Sequence, residues 1–95
     1  MKINEVRFDV YPAFMRRFNQ LSDDIKRQAA KAINDLRQKP MHKSINFEKL
    51  RTYMNPSIFT IHATRNHSHK ISFEIEGDVA IMRKIGTHKE IDRSP

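Results

Sequence analysis

Cysteine is absent from the 95 residues, which excludes disulfides and thiolate metal ligands and fits a reducing compartment. No apolar run approaches the roughly 20 residues that a membrane span needs, and no charged segment precedes an apolar one as in a secretory signal. Repeats, low-complexity tracts and linkers are also missing. These absences predict a soluble, cytoplasmic protein without membrane contact, with one domain over residues 1–95 and a small two-layer core.

Acidic residues are scarce relative to basic ones. The chain has 18 Lys and Arg against 11 Asp and Glu, a net charge of +7. The excess is spread along the chain, with nine basic and five acidic residues in 1–40 and nine and six in 41–95. A uniformly basic small domain attracts polyanions, so nucleic acid is the favoured partner over an acidic protein, and charge alone does not separate DNA from RNA.

The first half of the chain predicts a strand and a helical hairpin. Residues 3–10 alternate loosely as a strand. Pro12 suits the first turn of a helix that presents Phe14, Phe18 and Leu21 on one face. Ser22 can cap a second helix over about 23–38, which ends near Pro40 and whose apolar positions share one face: Ile25, Ala29, Ala32, Ile33 and Leu36.

The second half predicts three strands after a long connection. Residues 41–57 lack a sustained period and read as a connection with a short helical turn at 47–51. Strands are predicted at 57–64, 70–76 and 79–85, the last two joined by a Gly77-Asp78 turn. The prediction is a single α+β domain of order β-α-α-β-β-β, in which the helical hairpin backs a three-stranded antiparallel meander.

Strand alternation separates an apolar face from a polar one. The positions expected under the helices are Phe59, Ile61, Ala63, Ile71, Phe73, Ile75, Val79, Ile81 and Ile85, with Arg83. The opposite face is expected to be open and to carry His62, Lys70, Ser72, Glu74 and Lys84. His88 follows the last strand in "IGTH", where a rigid strand would support a catalytic imidazole.

Five histidines invite a metal hypothesis. His67 and His69 have a spacing that can chelate a metal from one strand face, but no third ligand stands at a recognisable spacing. A polar hairpin tip explains these histidines without a metal. No metal and no cofactor is therefore expected.

The strings "SDDIKRQAAKAINDLRQKP", "NFEKL", "HKISFEIEGD" and "IGTHKEID", in this order, resemble the RelE/ParE superfamily of toxins from bacterial type II toxin–antitoxin systems. The "GTH" ending resembles the YafQ subgroup, and "EKL" with "HKISF" resembles YoeB. The resemblance implies a ribosome-dependent mRNA endoribonuclease that contacts rRNA and is neutralised by an acidic antitoxin. The ParE branch implies a DNA gyrase inhibitor instead, and a non-catalytic RNA-binding domain is a third reading.

The resemblance also implies site residues. His88 matches a histidine that acts in acid–base catalysis, Glu48 matches the Glu of the "E-x-L" string, and Lys70 stands where Arg is usual. His62 matches a second-strand histidine, so the general base is Glu48 or His62, with His88 as general acid and Lys70 near the phosphate. The residues expected to contact RNA are Arg65, Lys84, Lys89 and Arg51. Many relatives carry an aromatic residue beyond the sheet, where this chain has Lys89 and Asp92.

Overall fold

The computed structural model describes residues 2–38 and 45–95. Its elements are β1 (Glu5–Arg7), α1 (Ala13–Gln20), α2 (Asp23–Asp35), β2 (Glu48–Met54), β3 (Ser57–His62), β4 (His69–Glu76), β5 (Val79–Thr87) and α3 (His88–Arg93). The five strands form one sheet of order β1-β5-β4-β3-β2. β1 runs parallel to β5, whereas β2 to β5 form an antiparallel meander. The predicted α+β class is confirmed.

The two consecutive helices follow the sequence signals. Ser22 caps α2, because its hydroxyl accepts a hydrogen bond from the Ile25 N–H at 3.3 Å. Asp23 and Asp24 lie in the first turn of α2, where the positive end of the helix dipole favours them. α2 ends at Asp35, earlier than the predicted residue 38, and turns follow over residues 36–38. Pro40 lies outside the described residues.

The core lies between α1, α2 and one face of the sheet. Phe14 of α1 is 1% exposed and Phe73 at the centre of the sheet is fully buried. The aromatic rings of Phe47, Phe59 and Phe73 contact one another with centroid separations of 5.5 to 6.0 Å. The other buried members are Ile3, Ala29, Ala32, Ile33, Leu36, Ile45, Ile61, Ala63, Ile71, Ala80, Met82 and Ile85.

The strand β2 corrects the predicted connection over 41–57. Residues 48–54 pair with β3, and the helical turn predicted at 47–51 is wrong. The meander therefore has four strands and not three. β2 is an edge strand that is largely exposed and whose register with β3 is irregular between Lys49 and Met54. It lacks the alternating burial from which a strand can be predicted. Residues 41–44 of the predicted connection lie outside the described residues.

An irregularity between β4 and β5 overturns the predicted orientation of β5. Ser72 lies opposite Lys84, whereas the next residue Phe73 lies opposite Met82, so Arg83 is an extra residue in β5. The side chains of Ala80 and Met82 consequently join the core in place of those of Val79, Ile81 and Arg83. A single inserted residue reverses the alternation, which a strict period of two does not anticipate. β1 is also shorter than predicted, three residues instead of the expected span 3–10.

The helix α3 changes the predicted open face of the sheet. Thr87 begins α3 with a capping box, in which its hydroxyl accepts from the Glu90 N–H and the Glu90 carboxylate accepts from the Thr87 N–H. α3 packs on β4 and β5 and buries Ile91 to 1% exposure. The face opposite the main core is therefore partly covered, and Lys70 and Ser72 on it are buried instead of exposed. No helix in the described ranges has the length and apolarity to cross a membrane.

Removing the cap is expected to loosen α3. Thr87→Ala should lower the free energy of unfolding by about 1 kcal/mol, because the Glu90 N–H loses the hydroxyl that accepts its hydrogen bond. Thr87→Ser keeps the hydroxyl and serves as the matched control, with stability close to that of the wild type. Urea unfolding followed by circular dichroism measures both. Equal stability of the Ala and Ser variants would show that the cap does not hold α3.

Candidate active site

Cross-strand pairing brings most of the predicted site residues to one face of the sheet. Glu48 of β2 lies opposite Thr60 of β3, which lies opposite Ser72 of β4, which lies opposite Lys84 of β5. In the neighbouring row, His62 of β3 lies opposite Lys70 of β4. Since directly opposed residues share a face, these side chains all lie opposite the side packed by α1 and α2. The register thus places together residues that are far apart in sequence.

Lys70 is the buried cation of this face. It lies opposite Gly86, and a Cβ at Gly86 would stand 2.9 Å from a carboxylate oxygen of Glu90, so a larger residue there would have to displace the side chain that closes the cap of α3. α3 then brings Asp92 to the Lys70 ammonium, with Nζ and Oδ1 2.9 Å apart. The Lys70 side chain is 7% exposed, and an ammonium that is so poorly hydrated requires a paired anion.

His88 is held at both its backbone and its ring. Its N–H donates to the Ser68 carbonyl at 3.0 Å, which ties the start of α3 to the turn between β3 and β4. Its Nδ1 lies 2.7 Å from Oδ2 of Asp92, one helical turn further along α3. These two contacts fix the imidazole in place. Its side chain is 48% exposed, so a substrate can reach it. His88 therefore lies directly after β5, where the string "IGTH" predicted an imidazole.

His62 lies beside two other imidazoles. Its ring centroid is 3.9 Å from that of His67 and 6.0 Å from that of His88. Burial is the main cause that lowers the pKa of His62, followed by the nearby charges of His67, Lys70 and His88. His62 is therefore neutral near pH 7, the state in which it can accept a proton.

Two polar features complete this part of the site. Glu48 is exposed, and its carboxylate acts against the other charges by raising the pKa of His62, so it lies within electrostatic reach of that ring. The buried Nδ1 of His62 has no hydrogen-bond partner within the described residues, and neither do the hydroxyls of Thr60 and Ser72. Most buried polar groups in proteins are hydrogen-bonded, and a functional role is one explanation for those that are not.

The predicted RNA-binding residues are spread around this face. Lys84 is exposed at the end of the Glu48 row, and its ammonium donates to the Ser94 carbonyl at 3.0 Å and hydroxyl at 3.2 Å. Lys89 is exposed next to His88, and Arg51 is exposed on β2. Arg65 lies in the turn after β3, and the backbone N–H of Arg65 donates to the Gln28 side chain of α2. Arg65 therefore borders a separate groove of about 750 Å³ between α2 and this turn, which His62 and His67 also line.

His67 and His69 do not share a strand face as their spacing suggested. His67 lies in the turn with a φ of 62° and packs on His62, whereas His69 begins β4 and its Nδ1 lies 2.7 Å from the Ser68 hydroxyl. Among the residues of the described ranges, no group of three His, Asp or Glu side chains is arranged to hold a metal ion.

Sequence reasoning missed Asp92 and His67 as members of the site. Asp92 was noted only as a position without an aromatic residue, yet it is the partner of both Lys70 and His88. The capping-box string from Thr87 to Glu90 was the available signal, because it predicts a helix in which His88 and Asp92 stand one turn apart. No comparable signal marks His67, whose place depends on the conformation of the turn.

This arrangement supplies the groups that acid–base chemistry on a phosphodiester requires. One imidazole is exposed and anchored to a carboxylate, a second is held neutral, and a cation lies opposite the second on the same face. Proton transfer needs the first two, and a developing negative charge needs the third. The site is therefore able to transfer protons without a bound metal or cofactor.

The fold is similar to that of chains in two solved RelE–RelB complexes. Neither protein-family models nor curated protein sequences match the chain. A chain of the archaeal RelE–RelB complex from Pyrococcus horikoshii OT3 is 11% identical, with a TM-score of 0.68 over 92% of this chain and 96% of that chain. A chain of the RelB–RelE antitoxin–toxin complex from Methanococcus jannaschii is 20% identical, with a TM-score of 0.67 over 93% and 98%. The chain thus has a RelE-like fold, and its predicted resemblance to that superfamily is confirmed at the level of the fold.

The lowered pKa of His62 has consequences that an NMR titration measures. We expect the pKa of His62 to lie below its usual value of 6.5. Glu48→Gln should lower the pKa further, because the one carboxylate that favours the protonated ring is removed. An unchanged His62 pKa in this variant would place Glu48 out of reach of the ring.

The same pKa shift predicts how stability depends on pH. The folded state binds fewer protons at His62 than the unfolded state does, because the folded pKa of His62 lies below 6.5. The stability that His62 contributes above pH 6.5 is therefore lost as the pH falls from 6.5 toward the folded pKa. Urea unfolding at a series of pH values should show this loss in the wild type and a smaller one in His62→Gln.

Proposed function

We propose that this protein is the toxin of a toxin–antitoxin pair and acts as an endoribonuclease on mRNA in the ribosome. The observation that carries the proposal is the cluster of His88, His62 and Lys70 on one face of a RelE-like sheet. The net charge of +7 supports a nucleic-acid substrate. A single-domain toxin of this kind acts in the cytoplasm, where both mRNA and ribosomes are present.

The proposed reaction uses the 2′-hydroxyl of the RNA as the nucleophile. That oxygen attacks the adjacent phosphorus, the bond to the 5′ oxygen breaks, and the products are a 2′,3′-cyclic phosphate and a 5′-hydroxyl end. His88 protonates the departing 5′ oxygen, because its imidazole is exposed and is also held in place by Asp92. Lys70 offsets the charge that builds on the phosphate. No metal or cofactor enters this scheme.

Two groups fit the role of general base that removes the 2′ proton. His62 is favoured because its lowered pKa keeps it neutral and able to accept a proton at pH 7. Glu48 is exposed on the same face and near enough to stabilise the His62 imidazolium after the transfer. His62→Gln should therefore lower the cleavage rate by about a hundredfold or more and Glu48→Gln by less. The reverse order in a single-turnover assay would make Glu48 the base.

The basic surface also supports an antitoxin partner and contacts with rRNA. The two structurally similar chains come from complexes with RelB, described in one case as an antitoxin–toxin complex. An acidic antitoxin would match the charge of this chain and would compete with RNA for it. Lys84, Lys89, Arg51 and Arg65 are all exposed around the site and are proposed to contact phosphates by salt-dependent pairing.

Cleavage in cells tests the proposal directly. Wild type and His88→Ala are induced in bacteria, and mRNA 5′ ends are mapped on ribosomes. We expect cuts within codons for the wild type and their loss in the variant, because His88 supplies the proton for the leaving oxygen. His88 is half exposed, so the purified variant should unfold at nearly the wild-type temperature, which controls for misfolding.

Three other outcomes would contradict the proposal in whole or in part. Full cleavage by His88→Ala would overturn the assigned role of the imidazole. Growth arrest without mRNA cuts would favour a gyrase inhibitor, which a supercoiling assay with purified gyrase would then show. Neither cuts nor arrest would leave a basic RNA-binding domain.

A further inference from the structure

We propose that Asp92 is the positioning residue of the site, a single carboxylate that fixes both the ring of His88 and the ammonium of Lys70. The inference rests on the proposed function and adds to it a group that touches neither the RNA nor the reacting atoms. Asp92 uses one oxygen for each partner, with Oδ2 2.7 Å from Nδ1 of His88 and Oδ1 2.9 Å from Nζ of Lys70. The acid and the cation are thereby held at a constant separation.

The position of Asp92 is itself well defined by α3. The capping box of Thr87 and Glu90 fixes the start of the helix, and Ile91 anchors it in the protein interior. One turn separates His88 from Asp92, so the two side chains lie on the same side of α3. Partial burial works to raise the pKa of Asp92, but the hydrogen bond and charge of Lys70 and then His88 hold it below its usual value. Asp92 is therefore ionised near neutral pH.

The contact with Asp92 decides which nitrogen of His88 can react. A carboxylate accepts only, so Nδ1 must donate its proton to Asp92 in both charge states of the ring. Nε2 is then the nitrogen that carries the exchangeable proton toward the substrate. An imidazole without this partner would spend much of its time in the other tautomer or turned away.

A purely structural role for Asp92 makes a different prediction. If Asp92 only neutralised the buried Lys70, its removal would weaken the fold and leave the tautomer of His88 and the rate per folded molecule unchanged. Since both contacts use the same carboxylate, stability alone does not separate the two roles. The tautomer of His88 and the division of the effect between kcat and KM do separate them.

The test combines NMR on the free protein with kinetics on ribosomes programmed with mRNA. Asp92→Asn keeps the size of the side chain without its charge, and Asp92→Ala removes the carboxylate and both of its acceptor oxygens. Glu76→Gln is the matched control, because it removes one carboxylate charge from an exposed position at the other end of the β4–β5 pair. The ¹⁵N shifts of the His88 ring at high pH report the tautomer, and single-turnover rates report the chemistry.

We expect neutral His88 of the wild type and of Glu76→Gln to carry its proton on Nδ1, and both Asp92 variants to shift toward the Nε2–H form. The kcat of the Asp92 variants should fall about tenfold to a hundredfold with little change in KM, a part of what a general acid contributes. An unchanged tautomer, or a kcat within about twofold of the wild type, would overturn the inference. Absence of cleavage by the wild type would overturn the proposed function, whereas the tautomer would still show whether Asp92 fixes the ring.

Discussion

The ion pair between Lys70 and Asp92 is the interaction on which the arrangement of the site depends. Lys70 lies in the middle of the sheet with a side chain that is 7% exposed, and a buried ammonium without a partner costs several kcal/mol. The partner comes from α3, the last element of the chain. Docking of α3 on the sheet is therefore tied to neutralising Lys70, and His88 at the start of α3 is brought to the site by the same contact.

This dependence explains two local features that otherwise look unrelated. Glycine at position 86 leaves room for the Glu90 carboxylate, one oxygen of which would lie 2.9 Å from a Cβ at this position. Glu90 in turn closes the capping box of Thr87, and this turns the chain directly from β5 into α3. The end of β5, the capping box and α3 thus form one continuous segment of the chain. Its effect is to present an imidazole on a rigid support beside a cation.

The site also depends on keeping several basic groups close without charging all of them. His62, His67, His88 and Lys70 lie within mutual electrostatic reach. Burial and the neighbouring charges keep His62 neutral, whereas Asp92 supplies negative charge to His88 and Lys70. Two imidazoles 6.0 Å apart are therefore held in different environments, which is what the proposed division into a general acid and a general base requires.

Local sequence signals predicted α1, α2 and the three buried strands, whereas the remaining elements depend on contacts between distant parts of the chain. The cap at Ser22 and the apolar faces of α1 and α2 depend on neighbours within one turn, so they can be read from the chain. β2 and the extra residue Arg83 depend on contacts with other strands, which leave no periodic trace. Alternation placed His62 and Lys70 on one face, and their direct pairing in the sheet confirms this. Asp92 was missed as a member of the site because α3 was not predicted.

One measurement tests the central claim, that the face formed by His88, His62 and Lys70 cleaves RNA through its 2′-hydroxyl. Purified protein is added to ribosomes programmed with an mRNA that is cut, and with the same mRNA carrying a single 2′-deoxy nucleotide 5′ of the cut. Attack by the 2′-hydroxyl predicts a 2′,3′-cyclic phosphate at the end of the cut RNA and no cleavage at the deoxy position. Cleavage at an unchanged rate on the deoxy substrate would contradict it, because the nucleophile would then not be the RNA itself.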